Sequence, residues 1–173
     1  IALRITKDVK GYIEFRDETM VTLRVPAGRF SMVFDLLLKL GEIVDFEKYA
    51  PSGDKPAAFV GCPIFDLSGK VEGVIAFQLS LTHINNIMKS RAGMKQTGET
   101  YLVGPDKLLR SDSFLNPDRF SVAGSFAQPE TGKVDTIGVR EALAGKSGAK
   151  IITDYLGHRV LCAYGPIRVK DLT

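Results

Sequence analysis

The sequence predicts an α+β protein made of two small modules in tandem, each an antiparallel sheet with flanking helices. Three observations point there. The chain repeats weakly at an offset of roughly a hundred residues. Its β-branched and aromatic runs are bounded by Gly, Pro, Asp and Ser. Its helical patterns are short and do not alternate with single strands, which speaks against a parallel α/β sheet. A chain of 173 residues with 45% apolar and 25% charged content can bury one substantial core or two small ones.

Taken in order, residues 11–25 read as a hairpin around Asp17 and Glu18. Residues 31–40 read as a helix, with Ser31 as N-cap, Phe30, Val33, Phe34, Leu37 and Leu38 at helical spacing, and Gly41 as C-terminal cap. A strand at 43–46, a turn at 51–54 and a strand at 57–64 follow. The hairpin 59–79, turning at 66–70, is the clearest β signal. Leu81, Ile84, Ile87 and Met88 make one apolar stripe along 81–91, the pattern of a connector helix docked on a sheet. A second hairpin covers 101–112, where Gly104-Pro105-Asp106-Lys107 supplies turn chemistry. Residues 135–144, capped by Asp135 and ended by Gly145, read as a helix. A strand at 151–155, a turn at 156–158 and a strand at 160–167 close the chain. Both copies therefore run helix, strand, turn, strand and Pro-Ile, at Pro63-Ile64 and Pro166-Ile167. The expected modules are 1–91, including the connector, and 92–173.

Composition narrows the function. The 23 basic and 20 acidic residues leave a net charge of +3, and no Lys/Arg cluster is interleaved with aromatics, so nucleic acid is not the expected partner. No apolar run reaches the ~18 residues of a membrane helix. The start at Ile1 without Met and the end at Thr173 suggest a piece of a longer protein. Cys62 and Cys162 read as small apolar strand residues, not as a disulfide framework.

Enzymatic motifs lack support. Gly145-Lys146-Ser147 has Arg140 where a phosphate loop needs Gly, and a helix where it needs a strand. His83 and His158, the two histidines, lie near no nucleophile elbow and read as solvated. Two histidines and two dispersed cysteines give no metal-ligand spacing, so no metal or cofactor is expected. No carboxylate pair is singled out for acid–base work.

Polar residues on strands carry more information, because a strand over a concavity presents alternate side chains to it. Arg110 and Asp112 share one face of the second hairpin, opposite Tyr101 and Val103. With Tyr155 they are the candidate ligand residues of the second module, and an internal salt bridge or hydrogen-bonded network is the competing role. In the first module Asp45 and Tyr49 share a strand face, with Arg24, Arg29 and Lys55 as possible cations and a solvated face as the alternative.

The stretch DFEKYAPSGDKPAAFV (residues 45–60), continuing to GVIAFQL (73–79), resembles the double-Cache sensor regions of bacterial methyl-accepting chemotaxis proteins. The likeness extends through INNIM (84–88), TGETYLVGPD (97–106), LRSDS (109–113), EALAG (141–145) and AYGPI (163–167), in order over roughly residues 41 to 173. The resemblance implies two PAS-like modules projecting from the cytoplasmic membrane into the periplasm, an anchored and homodimeric parent receptor, no enzymatic activity, and a small-molecule ligand; a ligand held by the Arg110 fork would be anionic. Similar sensors occur on histidine kinases and nucleotide cyclases, and a ligand-free interaction module is the reading from another class. Residues 1–40 depart from the family pattern. The absence of Trp leaves the amino-acid-binding set of that family incomplete, so no amino acid is named as ligand. In PAS-like sheets the final strand is central. Residues 71–79 supply it in the first copy, and the second copy has no counterpart, so its sheet should be incomplete unless residues 1–6, a partner chain or further residues fill it.

Overall fold

The structure, a computed structural model, describes residues 2–7, 13–15, 20–25, 42–65 and 67–167. The expected helix 31–40, Arg29, the turn residues Asp17 and Glu18, and Asp66 lie outside the described residues. The fold is α+β, with antiparallel pairing in both halves and a few short helices. It divides into two compact units, one of residues 1–46 and 57–79, the other of 47–56 and 80–173.

The strands of the first unit belong to a six-stranded sheet in the order β2-β3-β1-β6-β5-β4. Its strands are β1 (Ala2–Lys7), β2 (Ile13–Phe15), β3 (Met20–Val25), β4 (Glu42–Tyr49), β5 (Lys55–Phe65) and β6 (Val71–Gln78). The two hairpins read from sequence are there: β2 pairs antiparallel with β3, and β5 with β6 from Phe59↔Gln78 to Phe65↔Val71. β4 turns into β5 through a single 3-10 turn, Ala50–Ser52, closed by Gly53 and Asp54 at positive φ, where glycine and Asp are tolerated best. Ala57, Ala58, Val60 and Phe77 are buried. β1 departs from the antiparallel expectation, since it runs parallel to both neighbours, Ala2↔Met20 on one side and Ala2↔Val74 on the other. Its alternation of Leu3 and Ile5 with Arg4 and Thr6 is strand-like. Residues 2–7 thus complete the first sheet and leave the second unit to its own strands.

The second unit comprises α1 (Leu81–Met88), α2 (Val122–Ala127), α3 (Pro129–Gly132), α4 (Ile137–Leu143), β7 (Gly148–Thr153) and β8 (Arg159–Tyr164). α1 belongs here and not with the first unit, so the division falls before Ser80 and not after residue 91. Ser80 caps α1 by accepting from the His83 amide. The buried member of its inner face is Asn85, whereas Ile87 is exposed, which corrects the apolar stripe. α4 is capped by the Thr136 hydroxyl, which accepts from Val139 N, and not by Asp135. Asp135 has other partners, Lys107 and Arg140. α2 and α3 carry no long periodic signal; a Ser121 cap and Pro129 at the first turn define them.

β7 and β8 form a two-stranded antiparallel sheet from Gly148↔Tyr164 to Thr153↔Arg159. The hairpin at 101–112 is present but short of ladder, with one isolated bridge, Val103↔Leu109. Side chains take over there, since the Leu102 amide donates to Ser111 Oγ at 2.9 Å. Leu109, Phe120, Val134 and Val139 form the core, with Tyr101, Val103, Leu143, Tyr155 and Leu156 packed on it. α4 approaches β8 so closely that a Cβ at Gly138 would lie 2.9 Å from Cys162 Sγ, inside normal contact. Gly145, at positive φ, ends α4, and Lys146 N returns to Glu141 O, so Gly145-Lys146-Ser147 is a helix C-terminus and not a phosphate loop.

Candidate functional site

The second unit contains a cleft of about 380 Å³ between the segment 97–103, α4 and β8, within the size range of small-molecule sites. Tyr101 and Tyr155 set its aromatic wall. Tyr101 begins the hairpin and Tyr155 follows β7, and their rings meet edge to face at 5.3 Å, while Phe120 meets Tyr155 edge to face at 4.6 Å. Burial, then the neighbouring Cys162, Glu99 and Asp154, raise the Tyr101 hydroxyl above the ordinary tyrosine range. Burial and the hydrogen bond to Glu99 raise Tyr155 likewise. Both phenols are therefore neutral hydrogen-bonding groups. Val103, Val139, Leu143 and Val160 supply apolar lining, and Cys162 presents a half-buried thiol whose ionisation burial opposes.

Two carboxylates line the cleft, Glu99 and Asp154, and among the described residues no Lys, Arg or His does. Glu99 Oε1 accepts from the Tyr155 hydroxyl. Its Oε2 accepts from Ser113 Oγ and Phe114 N, both at 2.9 Å, and from Leu115 N at 3.2 Å. That carboxylate ties the loop after the hairpin to the β7–β8 turn. Asp154 Oδ1 accepts from Leu156 N and His158 N, forming the turn before β8. Its Oδ2 is 3.8 Å from His158 Nδ1, beyond hydrogen-bond reach, while its side chain is only 13% exposed.

Of the residues singled out by the sequence, the structure brings Tyr101 and Tyr155, with Val103 and Cys162, together in this cleft and places the polar candidates Arg110, Asp112, Asp45 and Tyr49 elsewhere. Arg110 is buried, and its guanidinium donates to Leu108 O at 3.0 Å, pairs with Asp106 Oδ1 at 3.0 Å and lies 5.1 Å over the Phe126 ring. For that residue the internal network, and not a ligand, occupies the fork. Asp112 is bound by Asn85 and by the Val122 amide at 2.8 Å. Asp45 and Tyr49 sit on β4, half-buried, with Asp45 Oδ1 accepting from Phe46 N at 2.7 Å. Arg24 stands on β3, and Lys55 is exposed at the start of β5. His83 and His158 are exposed, as expected of solvated histidines. Glu99 and Asp154 do not stand out in the sequence. Their signals there are weak ones: Thr-Gly-Glu-Thr just before a strand, and an Asp three residues before a Gly at positive φ. Among the described residues no group of three or more His, Cys, Asp or Glu could hold a metal ion, and no helix is long and apolar enough to cross a membrane.

In comparison with known proteins the chain matches no family model, no curated protein and no solved structure, so its site is defined by this geometry.

Proposed function

We propose that this chain is the extracytoplasmic ligand-sensing region of a bacterial transmembrane receptor, two PAS-like modules of the double-Cache kind in tandem, and that the receptor is a methyl-accepting chemotaxis protein. The observation that carries the reading is the cleft of the second unit, with Tyr101 of the motif-bearing segment 97–106 and Tyr155 in its wall. The division into two compact units and the motif order from residue 45 to residue 167 support it.

On this reading the protein binds and does not turn over its ligand. A ligand that fits one arrangement of the segments around the cleft better than another shifts their equilibrium by no more than its differential affinity. The Glu99 hydrogen bonds join three of those segments, so a ligand in the cleft acts on all of them. The receptor passes the shift through a membrane helix to a cytoplasmic output domain.

The test is the coding sequence on either side of the chain. Flanking membrane helices followed by a long methylation-site coiled coil are expected. A catalytic kinase or cyclase domain downstream overturns the chemotaxis assignment, and a reading frame without any membrane segment overturns the receptor.

A further inference from the structure

We propose that the cleft of the second unit takes a cation, a small organic ammonium whose apolar body lies against Val139, Leu143 and Val160 and whose nitrogen is held by Asp154 and the field of Glu99. The inference rests on the sensor reading above and names the ligand class of that site. It replaces the anionic ligand suggested by Arg110, because that guanidinium is committed to Leu108 O and Asp106.

Three features converge. The first is charge: two carboxylates line the cleft and, among the described residues, no cationic side chain does. Low-dielectric walls focus such a field, so an anion entering would meet uncompensated repulsion while a cation would be drawn in. Of the cations on the segment before Glu99, Lys95 is exposed and outside the lining, and Arg91 gives its donors to Gly98 O, Lys95 O and Gln96 O and stacks on Phe114. Lys150 is held by Glu141 at 2.6 Å, outside the lining.

The second feature is an acceptor with capacity to spare. Glu99 already accepts four donors, three on Oε2 and the Tyr155 hydroxyl on Oε1, and so contributes chiefly charge. Asp154 differs, because both of its hydrogen bonds fall on Oδ1, while its largely covered Oδ2 accepts no hydrogen bond among the described residues and has beside it only the exposed His158 Nδ1, at 3.8 Å. A sheltered carboxylate oxygen without a donor is the place for a charged N–H.

The third feature is the wall itself. Tyr101 and Tyr155 offer aromatic surface, which attracts a cation electrostatically and packs an apolar body. A carboxylate gains nothing from the faces of such rings.

Cys162 lines the cleft and is a free thiol, so the charge of the cleft can be measured while the ligand is still unidentified. In a Cys62→Ser background, Cys162 is reacted with trimethylammonium-ethyl and with sulfonatoethyl methanethiosulfonate, each rate being divided by that of a free thiol in solution. The cationic reagent is expected to be favoured by roughly tenfold or more. Asp154→Asn, which keeps the turn-forming Oδ1, is expected to remove most of that preference. A normalised ratio of one, or preference for the anionic reagent, overturns the inference.

A second arm separates this failure from failure of the sensor reading. Melting is followed with 2-phenylethylamine, 3-phenylpropionate and 2-phenylethanol, a cation, an anion and a neutral compound of similar size. Stabilisation by the amine above the alcohol, lost in Asp154→Asn, supports the inference. Stabilisation by the carboxylate overturns the ligand class and leaves the sensor. No stabilisation by any of the three at ~10 mM, where even a millimolar ligand would register, overturns the cleft as a ligand site and the inference with it.

Discussion

Asn85 and Asp112 clasp each other by two opposed hydrogen bonds, Asn85 Nδ2 to Asp112 Oδ2 at 2.7 Å and Asp112 N to Asn85 Oδ1 at 2.8 Å. The amide side chain thus copies the donor and acceptor of a neighbouring strand and fixes α1 to the end of the hairpin. Asp112 Oδ1 also accepts from Val122 N, so one carboxylate joins α1, the hairpin and α2. Removing either partner leaves the other's polar groups stranded in a half-buried site. Asn85→Ala and Asp112→Ala should each destabilise the protein by about 2–3 kcal/mol. In a double-mutant cycle by urea denaturation the two losses should fall short of additivity by roughly 1 kcal/mol or more. Strict additivity would mean that the clasp contributes nothing as a pair.

Arg110 makes a second structural prediction. Its guanidinium reaches Leu108 O and Asp106 at once, and it packs on Gly104 so tightly that a Cβ there would overlap it. A lysine ammonium is a single point and cannot reproduce the fork. Arg110→Lys and Gly104→Ala should each lower the unliganded melting temperature, at a cost of about 1–3 kcal/mol. An unchanged melting temperature accompanied by lost ligand response would return Arg110 to a binding role.

What can be read from the sequence follows the range of the interactions. The hairpin β5–β6 is legible because strand composition and turn residues are local signals, and the pairing from Phe59↔Gln78 to Phe65↔Val71 falls within the span read at 59–79. Tyr101 and Tyr155 are legible as aromatics on strand-like runs. Asn85 is not, because its partner is 27 residues away and the apolar stripe of α1 makes Ile87 look equally suited to face inward. Asp135 looks like a helix cap because a carboxylate suits that position, yet Thr136 one residue later takes it. The cleft itself is assembled from segments some sixty residues apart in sequence; Glu99 precedes a strand-like run, and Asp154 sits within the run read at 151–155 although β7 ends at Thr153, so no local period marks either as a cleft residue. The place of β1 in the first sheet is hidden because parallel pairing needs no turn signal beside it.

Asp135 gives a pH prediction. Hydrogen bonds from Arg140 and Lys107 hold its carboxyl down at about 2, against an ordinary value of 3.8. A folded-state pKa below the unfolded one adds stability that is present above the unfolded value and is lost as pH falls towards the folded one. The contribution is modest because the group is exposed. Asp135→Asn should therefore lower stability at neutral pH slightly and flatten the acid limb of the stability curve between about pH 4 and 2. High salt should shrink the difference between variant and parent, since surface pairs are screened. A variant whose acid limb coincides with the parent's would show that the pair is broken in solution.

The alkaline limb should belong to the cleft. Tyr101 and Tyr155 both titrate above the ordinary tyrosine value of 10, chiefly through burial, with the Glu99 hydrogen bond adding to Tyr155. For an acid raised in the folded state the stabilisation is complete below the unfolded pKa and declines as pH rises beyond it. Stability should thus fall from about pH 10 upward, as the unfolded chain releases phenolic protons that the folded chain retains. Tyr155→Phe removes one such group and leaves Glu99 Oε1 without its donor. It should cost about 1–2 kcal/mol at neutral pH and make the alkaline decline shallower. Glu99→Gln separates the two effects, because it removes the charge that opposes Tyr155 ionisation while keeping a side chain of the same shape. In Glu99→Gln, tyrosinate absorbance followed against pH should show a tyrosine titrating earlier than in the parent. An unchanged phenolic titration would mean that Glu99 and Tyr155 are not in contact in solution.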